Sequence, residues 1–225
     1  MRTTIASART GSQVLNWAVR REIVFRNIAS VVELPVPSRP AKEGRSLTLD
    51  QAKSLLAAAS GTPREAMWTT MLFLGLRPGE AAGLAWPDID FEAGVIHVWR
   101  ARRRDATGRS IISDPKNAQS VRSLTAPESV LGPLRHHRRE QARHRLEIGK
   151  EWVGEGDLVF TSPTGRPTDP AACRREFDGV ATRAGLEGWT PNELRHSAAS
   201  LMSDAGMPIE QVADQLGHKD LRMVQ

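Results

Sequence analysis

Four stretches of this 225-residue chain place polar side chains where an apolar pattern would not ask for them. LGLRPGE sets Arg77 behind an apolar run, with Glu80 three positions on. DPKNAQSVRSL holds Lys116 between two short strand-like segments. TPNELRHSAASLMSDAG carries Asn192 and Arg195 three residues apart, so a helix puts them on one side. Leu194, Ala198, Leu201 and Met202 supply its apolar side, and His196 follows Arg195. DQLGH ends on His218, directly after Gly217. Guanidinium forks match phosphate or carboxylate oxygens two at a time, and an amide or imidazole beside them adds single donors or acceptors. Each residue alone also has an ordinary reading: a helix-end arginine meeting terminal carbonyls, a solvated hairpin lysine.

The elements that must position these groups are legible in part. Val14, Leu15, Trp17, Ala18, Ile23, Val24 and Ile28 predict a helix over 12–30. Pro35, Pro37, Pro40 and Gly44 then read as an extended linker, 33–46. Thr48 and Gln51 form a capping box that opens a helix running to Gly61. A second helix is expected over 63–76, with Pro63 at its start and Arg77 at its end, followed by a short one in AAGLAW. The period then changes. Residues 95–99, 110–112 and 121–124 read as strands of a small antiparallel sheet, which leaves Lys116 at a hairpin tip. A long basic helix over 127–150, a short strand at 158–160, and helices over 169–185, 191–205 and 208–216 complete the chain. The class is α+β, mostly α-helical.

Composition narrows the function classes. Forty per cent hydrophobic and 25% charged residues describe an ordinary globular chain. No apolar run is long enough to span a bilayer, and the first twenty residues lack a secretory core, so a cytoplasmic location is expected. One cysteine, Cys173, excludes an internal disulfide and a cysteine-based metal site. Net charge is +5, and arginines cluster at Arg100, Arg102, Arg103, Arg104 and Arg109, and again at Arg135, Arg138, Arg139, Arg143 and Arg145. That distribution suits a nucleic-acid binder as well as a solvated charged face. The chain contains no tyrosine.

Taken together and in order, LGLRPGEAAGLAWPDID, DPKNAQSVRSL, TPNELRHSAASLMSDAG and VADQLGHKDLRMV resemble the catalytic domain of tyrosine recombinases, the phage-integrase family. The resemblance covers about 47–225. It implies that 1–32 is a remnant of the N-terminal core-binding domain, joined by the linker. It also implies DNA strand breakage and rejoining through a phosphotyrosyl bond on double-stranded DNA, without metal or cofactor, by a tetramer acting near the nucleoid. By position, Arg77 and Arg195 would hold the non-bridging phosphate oxygens, Lys116 would protonate the leaving 5′ oxygen, and His218 would hold an oxygen or help manage the proton. Glu80 would support Arg77, and His196 resembles a second, more structural histidine. Arg102, Arg103, Arg104, Arg138 and Arg139 are the expected DNA contacts. Asn192 stands where a histidine is usual, and an amide cannot act as a base near neutral pH. The family's tyrosine would fall about nine residues after His218, just past Gln225. The expectation is therefore a chain truncated at both ends, without its nucleophile and inactive alone. The alternative is a catalytically dead DNA-binding remnant.

Overall fold

A computed structural model describes residues 2–31, 45–104, 110–113 and 121–217. The chain divides into two compact units, residues 1–43 and 44–225.

In the first unit, helix α1 runs Arg2–Arg20 and ends well before the expected boundary. Glu22 adopts a left-handed backbone (φ 58°), which reverses the chain. The Asn27 side chain then donates to the Ser12 carbonyl at 3.0 Å and to Asn16 Oδ1 at 2.8 Å, tying the returning segment to α1. Ile28–Val31 closes as a single 3₁₀ turn. The apolar period past residue 20 therefore belongs to a turn folded back on the helix, and Trp17, Ile23 and Phe25 remain exposed.

The second unit is built around α3, Glu65–Leu74. Its residues from Ala66 to Leu72 are buried on every side, which is why its apolar pattern shows no polar face. Helices α2 (Leu49–Ala59), α5 (Glu128–Ile148) and α7 (Pro191–Asp204) pack on or near it, with α6 (Pro170–Arg183) behind α2. Trp68 of α3 meets Phe177 of α6 edge-on, centroids 5.1 Å apart. The Thr48–Gln51 capping box forms as expected. At the other end of the unit, Glu193 Oε2 accepts from the Thr190 amide at 2.6 Å and opens α7. Ser197 Oγ accepts from the Leu47 amide at 2.9 Å, which pins the entry of the unit to α7.

The expected single sheet resolves into two. Strands β1 (Ile89–Asp90), β2 (Val95–Val98) and β5 (Arg122–Thr125) form one antiparallel sheet, with Ile96 opposite Leu124 and Val98 opposite Arg122. Strands β3 (Ala101–Arg104) and β4 (Ser110–Ser113) form a separate ribbon. β3 has no apolar alternation, so its arginines hid it from a pattern reading. Lys116 lies outside the described residues; among those described, β4 and β5 belong to different sheets. Residues 158–160 form no strand. Leu158 makes one bridge to Ala85, and the Val159 amide donates to the Leu84 carbonyl at 2.8 Å.

Two short helices finish the frame. α4, Pro78–Gly83, lies directly on β3: a Cβ at Gly79 would stand 2.7 Å from the Arg102 carbonyl oxygen, and one at Gly83 3.1 Å from the Arg102 nitrogen. α8, Ile209–Leu216, ends at Gly217 with φ 65°. No helix among the described residues is long and apolar enough to cross a membrane.

Candidate phosphate-binding site

Arg77 is not the last residue of α3. That helix stops at Leu74, Gly75 turns left-handed (φ 64°), and Arg77 becomes the N-cap of α4 with Pro78 in the first helical position. Glu80, at the third position of α4, reaches back. Its Oε2 accepts from the Arg77 amide at 2.9 Å, and its Oε1 accepts from Arg77 Nη1 at 2.7 Å. The capping geometry therefore sets both the backbone and the side chain of Arg77. Two-fifths of the Arg77 side chain stays exposed, whereas that of Glu80 is 5% exposed.

Arg195 comes from the second turn of α7 and is buried. Its Nη1 donates to the Gly75 carbonyl at 2.7 Å, and its Nη2 donates to the Leu216 carbonyl. These acceptors sit at the C-terminal ends of α3 and α8, where carbonyls lack partners within their own helix. Gly75 is required for this arrangement. A Cβ there would stand 2.2 Å from Leu216 Cδ2, in a backbone conformation that side-chain-bearing residues seldom adopt. The tight junction of α3 and α8 is what brings both carbonyls within reach of one guanidinium.

A fourth charged residue joins them. Arg122, on β5, donates from Nη2 to Glu80 Oε2 at 3.0 Å, from Nη1 to Glu80 Oε1 at 3.3 Å, and from Nε to the Gln215 carbonyl at 2.9 Å. Its side chain is 7% exposed. Sequence reasoning quoted this residue within DPKNAQSVRSL but did not single it out. A signal was available: Arg122 is two residues before Leu124, so strand alternation puts it on the side that Leu124 buries.

The electrostatics follow from two arginines bonded to one carboxylate, with Arg195 within reach of its charge. Burial alone would push the Glu80 carboxyl upward. The hydrogen bonds and charge of Arg122, with the Arg77 amide and guanidinium, outweigh it and hold the group below its ordinary value. Arg195 moves the other way. Burial, then the Arg77 charge, lower it to about 9, with Arg122 adding to the effect and Glu80 opposing it. A guanidinium keeps its proton in proteins, so burial and the neighbouring Arg77 and Arg122 charges leave Arg195 poorly balanced. An anion placed between Arg77 and Arg195 would balance it.

The remaining expected residues are distributed as follows. Asn192 is exposed in the first turn of α7, and His196 is exposed one position past the buried Arg195. Neither side chain makes a hydrogen bond among the described residues. Arg102 and Arg103 are half-buried on β3, and the Arg104 side chain lies outside the described residues. Arg138 and Arg139 are exposed on α5, with Arg138 5.5 Å from the Trp86 ring centroid. Other arginines of the two clusters are spent on internal ion pairs: Arg100 with Asp88, Arg135 with Glu128, Arg143 with Glu140. Lys116 and His218 lie outside the described residues. A groove of about 780 Å³ lies elsewhere on this unit, lined among others by Arg64, His136, His144 and Arg183, and by none of the four residues of the charged cluster.

Comparison with known proteins agrees with this architecture. Residues 45–225 match the phage integrase family. An integrase of Streptomyces ambofaciens is 34% identical over 92% of the chain and 54% of its own length. A XerC-like tyrosine recombinase of Caldanaerobacter subterraneus is 27% identical over 92% of the chain and 56% of its own length. The chain thus spans about half the length of the curated relatives it matches. Among solved structures, the Tn1549 transposon integrase in complex with transposon right end DNA shares the fold, with TM-score 0.77, 20% identity, and coverage of 99% of this chain and 73% of that one. The XerA recombinase matches with TM-score 0.63 and 25% identity, over 88% of this chain and 64% of that one. The chain belongs to the phage integrase family.

Proposed function

We propose that residues 44–225 form the phosphate-gripping catalytic module of a site-specific recombinase that breaks and rejoins double-stranded DNA. The observation that carries this reading is the excess of positive charge around Arg195: three buried or half-buried arginines held by one carboxylate and by helix-end carbonyls. Such a cluster is pre-organised for one more anion. The DNA complexes solved for the Tn1549 integrase support duplex DNA as the source of that anion.

In this reading Arg77 and Arg195 hold the two non-bridging oxygens of one phosphodiester and stabilise the negative charge that builds on them during displacement. A tyrosine hydroxyl attacks phosphorus, its proton released with the help of His218, and the 5′ oxygen leaves with a proton from Lys116. The product is a 3′-phosphotyrosyl bond and a free 5′ hydroxyl, and reversal on a second strand rejoins the DNA. His218 stands near a non-bridging oxygen, and Asn192 adds a neutral donor at the rim. Arg102, Arg103, Arg104, Arg138 and Arg139 hold neighbouring phosphates, and assembly on DNA is tetrameric. Residues 1–32 contribute part of a separate DNA-clasping domain, with 33–46 as the connection.

The 225 residues contain no tyrosine, which favours a second reading of this chain taken by itself: it grips duplex DNA without cutting it. Duplex binding measured across a salt series tests the shared core of both readings. Affinity should fall steeply with salt, and Arg77→Ala should weaken binding while lowering the slope by about 0.9, the value for one lost phosphate contact. Binding that ignores both salt and Arg77 would sink the assignment. A nicked duplex should give no denaturant-resistant adduct with this chain, and the appearance of one would overturn the second reading.

A further inference from the structure

The four hydrogen bonds around Glu80 raise a question about Arg122, whose type and position suit phosphate but whose surroundings do not. Arg77 keeps two-fifths of its side chain exposed, and Arg122 is 7% exposed. Its guanidinium is committed on both edges, with Nη1 and Nη2 on the two Glu80 oxygens and Nε on the Gln215 carbonyl. It is therefore placed to hold other groups and not to meet DNA.

We propose that Arg122 is a positioning residue of the phosphate site. It fixes the Glu80 carboxylate against which Arg77 is set, and it pins the end of α8 from which Leu216 meets Arg195. The proposal rests on the phosphate reading above and adds a residue to it. A carboxylate offers about four lone-pair positions. Glu80 fills four with donors: the Arg77 amide and Nη1, and Arg122 Nη1 and Nη2. Without Arg122, half of these are lost and the carboxylate is free to turn, taking the Arg77 guanidinium with it. The charge balance also depends on Arg122. Glu80 paired with Arg77 alone would cancel it, but shared with Arg122 it leaves Arg77 with charge to offer an incoming anion.

The contact at α8 does the second part of the work. Gln215 and Leu216 present successive carbonyls at the end of that helix, one to Arg122 and the other to Arg195. Two arginines on consecutive carbonyls lock the helix end in both position and rotation. Gly217 follows immediately, so the chain leaving α8 toward His218 starts from a fixed point. One guanidinium thereby links β5, α4 and α8, three elements far apart in sequence. A lysine could not do this, because a single ammonium on a flexible stem cannot span two carboxylate oxygens and a carbonyl at once.

The test is a titration with inorganic phosphate, followed by NMR at the Nε–Hε groups of Arg77 and Arg195. Arg122→Lys keeps the charge and removes the fork. We expect it to raise the phosphate dissociation constant by about fivefold or more, while in an Arg77→Ala background the same change costs less than about twofold, because the two residues act as a unit. An unchanged constant in the folded Arg122→Lys protein overturns the proposal. So does an equal loss in both backgrounds, which would mean that Arg122 serves only the fold. If Arg77→Ala alone leaves phosphate affinity intact, the phosphate reading itself fails, and that outcome is separate from the other two. Should the lysine variant not fold, hydrogen exchange on the unaltered protein decides: phosphate should slow exchange in the last turn of α8 and at β5 together, and slowing at neither would count against Arg122.

Discussion

Glu80 is the residue on which the others depend, and removing its charge should show it. Glu80→Gln leaves Arg122 almost fully buried without a counter-charge, and breaking a buried pair from one side costs about 3–5 kcal/mol. Urea unfolding should report a loss of that order, and a loss below about 1 kcal/mol would mean that Arg122 finds another partner. The pH dependence follows from the lowered Glu80 value. A carboxyl whose folded pKa lies below its unfolded value of about 4.3 contributes stability that is complete above that pH. The contribution disappears as pH falls through the folded value. The unaltered protein should therefore lose this increment on acidification, and Glu80→Gln should lack that part of the acid slope. Matching acid slopes would contradict the assignment. The site was legible where a side chain broke an apolar pattern in a recognisable motif, as at Arg77 and Arg195. Arg122 was passed over, although its place two residues before Leu124 puts it on the side that the strand buries. The Gly75 and Leu216 carbonyls were invisible for a simpler reason: every residue has one, and only the fold decides which are left without partners.

Among the elements, helices were easier to read than strands. α2, α5, α7 and α8 carry caps, a proline at the start or a glycine at the end, and their boundaries fall within a few residues of expectation. β3 failed because pairing to β4, not side-chain pattern, makes it a strand. α1 failed at its end because the Asn27 side chain bonds back across more than ten residues, a contact with no local signature. The close α3–α8 junction yields a prediction of its own. Gly75→Ala forces a side chain into a left-handed position and against Leu216, at a cost of about 1–3 kcal/mol for the backbone alone. The melting temperature should drop, and amide exchange in α8 should quicken more than in α5. Unchanged exchange in α8 would show that its docking does not depend on that glycine.

In the molecule as a whole, function turns on where charge is left unbalanced. Some of the arginines that make the chain basic pair with carboxylates: Arg100 with Asp88, Arg135 with Glu128, Arg143 with Glu140 and Arg64 with Glu176. The buried imbalance around Arg195 could not be counted from sequence. Membership of the phage integrase family supports the proposed phosphate chemistry, and the Arg77–Glu80–Arg122–Arg195 cluster is where it would act. Arg77 and Arg195 are proposed to face one DNA phosphate together. A structure of the chain bound to a duplex tests it most directly. One backbone phosphate is expected to lie with its non-bridging oxygens about 2.7–3.2 Å from guanidinium nitrogens of both residues. A duplex lying across another face, with both guanidiniums out of hydrogen-bonding reach of every phosphate, would contradict it.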